Sequence, residues 1–256
     1  MRDRTFRLAL RDDTVAACRD YEVEPHEVAL VAEVDPGHLD AIADFVLTQR
    51  IQRREAEFAL FLNALFRYTD RSAFYRTYHQ QVTVGQFSRL EEARRFLDFA
   101  AGFVIGGALP AHLLDILRFC GHIVELAETP MTPVPGEYPA GHPVTATATA
   151  RLRRPWTVAS FHHDMLRLAS EEEAYLRQPI PRATTLVLQR DWRTPKRSRA
   201  FSVAEHPIIG LLTSGDATVL DMAGRLPQFS ADVVFGLVKS LHDRQIVHLI
   251  PPAELA

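Results

Sequence analysis

The chain has 256 residues, 47% hydrophobic, 24% charged and 9% aromatic, with a formal net charge of −3; these values exclude disordered, collagen-like and coiled-coil classes. No apolar run approaches the ~18 residues of a membrane-spanning helix, and the opening MRDRTFRLALRDD carries charges where a signal peptide is apolar, so a cytoplasmic protein with no membrane partner is expected. Two cysteines without CxxC spacing, Cys18 and Cys120, exclude a disulfide framework and a cysteine zinc site.

Single cores stop growing at roughly 250–300 residues, so two domains are expected at this length. The charge is uneven in the same sense. Residues 1–130 carry 15 Arg and 20 acidic residues, net −5, and residues 131–256 carry 14 basic and 12 acidic residues, net +2.

In chain order, residues 1–35 are polar and read as short helices punctuated by Pro25 and Pro36. From Gly37 onward no Pro or Gly interrupts the run to Phe66, and Phe58, Phe61, Leu62 and Leu65 fall at i, i+3, i+4, i+7, which predicts one long helix or two in series. Ser88 with Glu91 three residues on is a capping box, opening a helix in which Leu90, Leu97 and Val104 share one face while Phe96, Phe99 and Phe103 line the next. Pro110 suits the first position of a further helix whose apolar residues cover most of its circumference. The aromatic residues of these helices exceed what one face of a small bundle needs, so part of that surface is expected to cover a partner protein.

The run TPMTPVPGEYPAGHP (129–143) holds five prolines and two glycines, forbids helix, and marks a linker at 129–144 between a helical domain (1–128) and a second domain (145–256). There TATATARLR alternates and FHHDMLRLASEEEAYLR reads as helix. TTLVLQRD and RSRAFSVAE read as two strands joined by WRTPK. Three short helices follow: one closed by Gly215, one with Asp216 as N-cap, one with Ser230 as N-cap. IVHLI closes the chain as a strand. The expected fold is therefore α+β: an N-terminal all-α bundle followed by a small winged-helix domain of a three-stranded sheet and three helices.

No catalytic or metal constellation stands out. His162 and His163, adjacent on a helix, would point about 100° apart and not share a metal. HExxH, the Walker loop, GxGxxG and GxSxG are absent. The expectation is no enzyme, no cofactor and no metal site, which leaves binding. A winged-helix DNA regulator with a helical dimerisation domain is one reading, but the helix from Ser230 offers only Ser230, Ala231, Asp232 and Val233 to bases, so nucleic acid is disfavoured. Phe235, Lys239 and His242 form a mixed apolar and cationic flank on that helix, better suited to a peptide. Arg182, Arg190, Arg193, Lys196, Arg197 and Arg199 form a basic patch around the hairpin tip.

The run from TTLVLQRDW to IVHLI, with Gly215, Thr218-Val219 and Leu241 at the expected places, resembles the leader-recognition element of pathways that modify ribosomally made peptides. The wider layout, an acidic helical domain, a proline-rich linker and this element, is similar to the partner subunits of multinuclear non-haem iron-dependent oxidases of the methanobactin type. The resemblance implies a non-catalytic subunit that binds a precursor leader and docks on the oxidase, which holds the iron. The leader would add to a sheet edge along Arg199–Val203, including Phe201, with Phe235 as apolar anchor, Lys239 and His242 for carboxylates, and Arg197 and Arg199 extending the positive potential.

Overall fold

The computed structural model describes residues 12–18, 25–82, 87–139, 141–170, 175–176 and 179–252. It is a mixed α+β molecule with eleven helices among the described residues, most of them N-terminal, and two small antiparallel three-stranded sheets. The helical half comprises α1 (Thr14–Cys18), α2 (Pro25–Ala32), α3 (Pro36–Glu57), α4 (Ala59–Leu65), α5 (Arg71–Gln81), α6 (Arg89–Gly106) and α7 (His112–Glu128). The run from Gly37 thus forms two helices in series, broken at Phe58, where the backbone leaves helical geometry at φ −117° and ψ 26°. Phe58, Phe61, Leu62 and Leu65 are all buried, as their spacing requires.

The Ser88–Glu91 capping box is present in both directions and starts α6. Pro110 stands two residues ahead of α7, its carbonyl accepting from the Leu113 N–H, so it leads the helix in without being part of it. Phe74 is the centre of an aromatic cluster with Tyr75, Phe96, Phe99 and Phe103 at centroid separations of 5.0–6.1 Å. Phe58, Phe61 and Phe96 have no exposed surface. Much of the aromatic excess therefore fills the molecule's own core, with Phe66, Phe99 and Phe103 packed half-buried against it. Arg54 is also buried, 2.7 Å from Glu57 and 3.5 Å from Glu92, and joins α3 to α6 by charge.

After the proline-rich segment come β1 (Thr149–Leu152), β2 (Trp156–His163), α8 (Met165–Ala169), β3 (Pro181–Arg190), β4 (Ser198–Ser202), α9 (Pro207–Leu212), β5 (Ala217–Thr218), α10 (Val219–Arg225), α11 (Ala231–Asp243) and β6 (Val247–Ile250). The single expected sheet is two: β5-β1-β6 and β2-β3-β4. The hairpin Thr184–Val203 forms as read, but its third strand is β2. That strand ends in Phe161-His162-His163, expected to open a helix; helix begins only at Met165, running to Ala169 and capped by the Asp164 carboxylate accepting from the Arg167 N–H, and of the rest of the run Tyr175 and Leu176 are helical among the described residues. From Val158 on, β2 alternates exposed and buried residues, so the half-buried-sheet period decides over the helical look of the residues after it. Asp216 does not cap α10. It pairs with Arg151, and Thr218 caps the helix by accepting from the Asp221 N–H. Ser230 caps α11 as expected, and Gly215 takes the positive φ of 145° that ends the α9 turn.

The apolar cores do not divide at the proline-rich segment. The first runs from the helices into the second half, taking in Ala159, Phe161, Met165, Leu168, Leu186 and Leu188. The second gathers Val187 and Phe201 with the helices α9 to α11 and the sheet β5-β1-β6. Because side chains alternate along a strand, the sheet β2-β3-β4 gives one face to each core and is the layer between them. Buried Gln189 fastens the two sheets, its amide donating to the carbonyls of Arg153 and Ile246 at 2.7 and 2.8 Å.

Candidate functional site

Strand order makes β4 and β2 the edges of their sheet. The ladder parity says which groups face out. Asp191 and Val203 donate to the Arg197 and Thr185 carbonyls, so residues 197, 199, 201 and 203 bond inward to β3. The N–H and C=O of Ser198 and Ala200 therefore point away from the sheet, and no hydrogen bond from another described residue meets them. Ser202 is closed off, its carbonyl accepting from the Glu205 and His206 N–H groups. β4 thus offers a short row of unpaired backbone groups that an extended chain can bond.

Of the seven residues expected to bind a peptide, four lie on or beside this strand. Arg197 is exposed in the turn before it. Arg199 is half-buried and committed, donating to Asp191 Oδ1 at 2.7 Å and to the Arg244 carbonyl at 3.0 Å. Burial raises the Asp191 carboxyl, but the Arg193 N–H, the Arg199 guanidinium and the Thr194 N–H together hold it below its usual range. Phe201 is buried in the second core and anchors the strand, while half-buried Val203 packs on that core and keeps part of its surface exposed.

The other three lie on α11. Phe235 packs half-buried on the second core, and exposed Lys239 pairs with Asp243 at 2.6 Å. His242 is the clearest correction. It is 1% exposed, with Nε2 3.1 Å from the Pro139 carbonyl and Nδ1 3.4 Å from the Val247 carbonyl, so it packs the proline-rich segment onto the sheet and does not meet an outside carboxylate. The flank expected beside the hairpin instead meets the proline-rich segment at Pro139 and at Gly141, whose N–H donates to Asp243 Oδ1 at 3.0 Å. The hairpin reaches the end of α11 through its carbonyls, by Arg199 to Arg244 and Arg193 to Asp243.

Two carboxylates, half-buried Glu137 and buried Asp115, were not foreseen from the sequence. Glu137 accepts from Arg153 and lies 2.7 Å from His248 Nδ1, while the Tyr138 N–H donates to the Leu249 carbonyl at 2.8 Å. The proline-rich segment therefore closes the outer edge of β6. Burial, then the charges of Arg153 and Arg151, push the His248 imidazole down to about 3. Asp115, an acid on the buried side of α7, gathers three donors on one oxygen: the N–H groups of His162 and His163 at 2.9 Å, and His163 Nδ1 at 2.8 Å. The strand places the two histidines on opposite sides, His162 exposed and His163 buried. Nearby His112 is buried with Nε2 unpartnered among the described residues, and burial with the neighbouring His163 lowers it to about 4. The signal for Asp115 was present: an acid set among the apolar residues Leu113, Leu114, Ile116 and Leu117 in the first turns of the helix.

Among the described residues no group of three or more His, Cys, Asp or Glu is placed to hold a metal ion, and no helix is long and apolar enough to cross a membrane. A comparison with protein-family models finds none that matches the chain, and a comparison with curated proteins finds none that is significantly similar.

Proposed function

We propose that this chain is a non-catalytic partner protein in the cytoplasm that binds the leader of a ribosomally synthesised precursor peptide through its winged-helix half and presents it to a multinuclear non-haem iron-dependent oxidase. The observation that carries the reading is the open edge of β4, with the outward groups of Ser198 and Ala200 free beside the exposed cation of Arg197. Backbone bonds along such an edge supply affinity, and the flanking charge favours a leader with Asp or Glu near its paired stretch. The resemblance of the sequence to leader-recognition elements supports the same edge.

The winged-helix DNA reading gains nothing from α11. Its surface carries Asp232, Val233 and Leu237, and its one lysine is paired with Asp243. Arg190, Arg193 and Arg199 of the basic patch are spent on carbonyls and on Asp191. The test is titration calorimetry with the cognate leader and with random duplex DNA at 50 and 200 mM salt. The proposal expects leader binding at both salts and no DNA binding. A DNA binder with 6–10 phosphate contacts would bind at low salt and lose about 10³–10⁵ in affinity at the higher one, and that result, with no leader binding, would reject the proposal.

A further inference from the structure

A second opening lies away from β4. A cleft of about 1060 Å³ runs between the proline-rich segment and both sheets, walled by Pro133, Pro135, Leu152 and Trp156 and rimmed by Arg151, Arg154 and Asp216. Its volume is at the upper end of what ligand sites use, with room for several residues of extended chain. Two features of its lining point to the occupant. The first is backbone. The Arg190 N–H donates to the Pro155 carbonyl, so residues 155, 157, 159 and 161 bond inward to β3, and the N–H and C=O of Trp156, Val158 and Ser160 face outward. No described residue bonds them, whereas the next outward N–H, that of His162, is closed by Asp115. The cleft thus meets the unpaired edge of β2 at its first residue, Trp156, and that edge continues past the lining along Val158, which is 42% exposed, and Ser160.

The second feature is charge. Asp216 is already matched by Arg151, whose Nε and Nη2 lie 2.8 and 2.5 Å from Oδ2. Arg154 is exposed and has no ion-pair partner among the described residues. His248, also in the lining, is uncharged near neutrality because burial and the two arginines depress it. The cleft therefore holds one uncompensated positive charge beside apolar walls and an open strand edge.

We propose that this cleft binds an extended acidic peptide by strand addition to β2, with a carboxylate of the peptide on Arg154 and an apolar residue against Trp156 and the prolines. It is a second site, separate from the leader edge on β4. The test is fluorescence anisotropy with a labelled hexapeptide, Val-Glu-Val-Glu-Val-Glu, on the full chain. Three companions are used: the same peptide with Lys for Glu, the acidic peptide N-methylated at alternate amides, and the proteins Arg154→Glu and Ala200→Pro, each checked for folding by circular dichroism. The expected result is saturable binding of the acidic peptide, at least about tenfold weaker for the lysine peptide, the N-methylated peptide and Arg154→Glu, and unchanged in Ala200→Pro. Recovery of the lysine peptide by Arg154→Glu would add direct support. No binding by the wild type, or binding indifferent to Arg154→Glu, overturns the site. Binding lost in Ala200→Pro alone assigns the peptide to β4 and overturns this proposal while leaving the leader reading standing.

Discussion

The two small sheets treat their edges in opposite ways. In β5-β1-β6 the outer side of β6 is covered by the chain itself: Tyr138 donates to Leu249, Glu137 is locked by Arg153 and His248, and His242 packs against Pro139. In β2-β3-β4 both outer strands keep backbone groups unpaired, at Trp156, Val158 and Ser160 on one side and at Ser198 and Ala200 on the other. An open edge invites association with other chains, and small proteins commonly close it. The outer strand β6 of one sheet is thus covered by the chain's own strap, while both outer strands of the other keep outward groups without a partner among the described residues, which places the longer open edges on the second sheet. Function is best sought there.

The largest effect expected on this contrast comes from the closure of β2 by Asp115. Asp115→Ala leaves three donors without their acceptor beside buried His163, and should cost about 3–5 kcal/mol in chemical denaturation, with faster amide exchange at 162 and 163. Next is the covered edge. Glu137→Ala strands the buried guanidinium of Arg153 and should cost about 2–4 kcal/mol, and exchange of the Tyr138 amide should rise as the strap loosens. If the strap contributes nothing, both measurements stay at the wild-type value.

A third prediction concerns pH. His248 is held at about 3 and His112 at about 4, below the usual imidazole value of 6.5. Between those values and 6.5 the unfolded chain takes up protons that the folded chain refuses, so stability is complete above 6.5 and falls as pH drops toward 4. Denaturation midpoints measured from pH 7.5 to 4.5 check the sign, and replacing His248 by Gln should flatten the slope. The smallest effect on folding is at the open edge. Ala200→Pro removes an N–H that points outward, so stability should change by about 1 kcal/mol or less, yet leader affinity should fall roughly tenfold with the lost backbone bond.

Much of this was legible before the fold was known. The helices of the first half, the Ser88–Glu91 box, the hairpin and the α9-to-α11 series follow from local period and capping, which act over a few residues, whereas the choice between one long helix and two, settled by the break at Phe58, did not. What escaped depends on distant partners. β2 was hidden because Phe161-His162-His163 runs into helix-forming residues, and its strand character comes from pairing with β3 some 20 residues later. Asp216 was misread because its partner Arg151 lies 65 residues away. His242 looked like a surface cation because its neighbour Pro139 is over a hundred residues earlier. For the site, the edge character of β4 was foreseen, but Phe201 and His242 are buried packing residues, since alternation along a strand or helix does not say which face a second element will cover.

The most direct test of the account is amide exchange at β4, read by two-dimensional NMR with and without the cognate leader. In the free chain the outward amides of Ser198 and Ala200 should exchange fast and the inward amides of Arg199 and Phe201 slowly. Saturating leader should slow Ser198 and Ala200 by about tenfold or more while Arg199 and Phe201 change little, because only the outward pair gains a partner. A leader that binds while Ser198 and Ala200 keep their free exchange rates would contradict the claim that this edge is where the peptide is held.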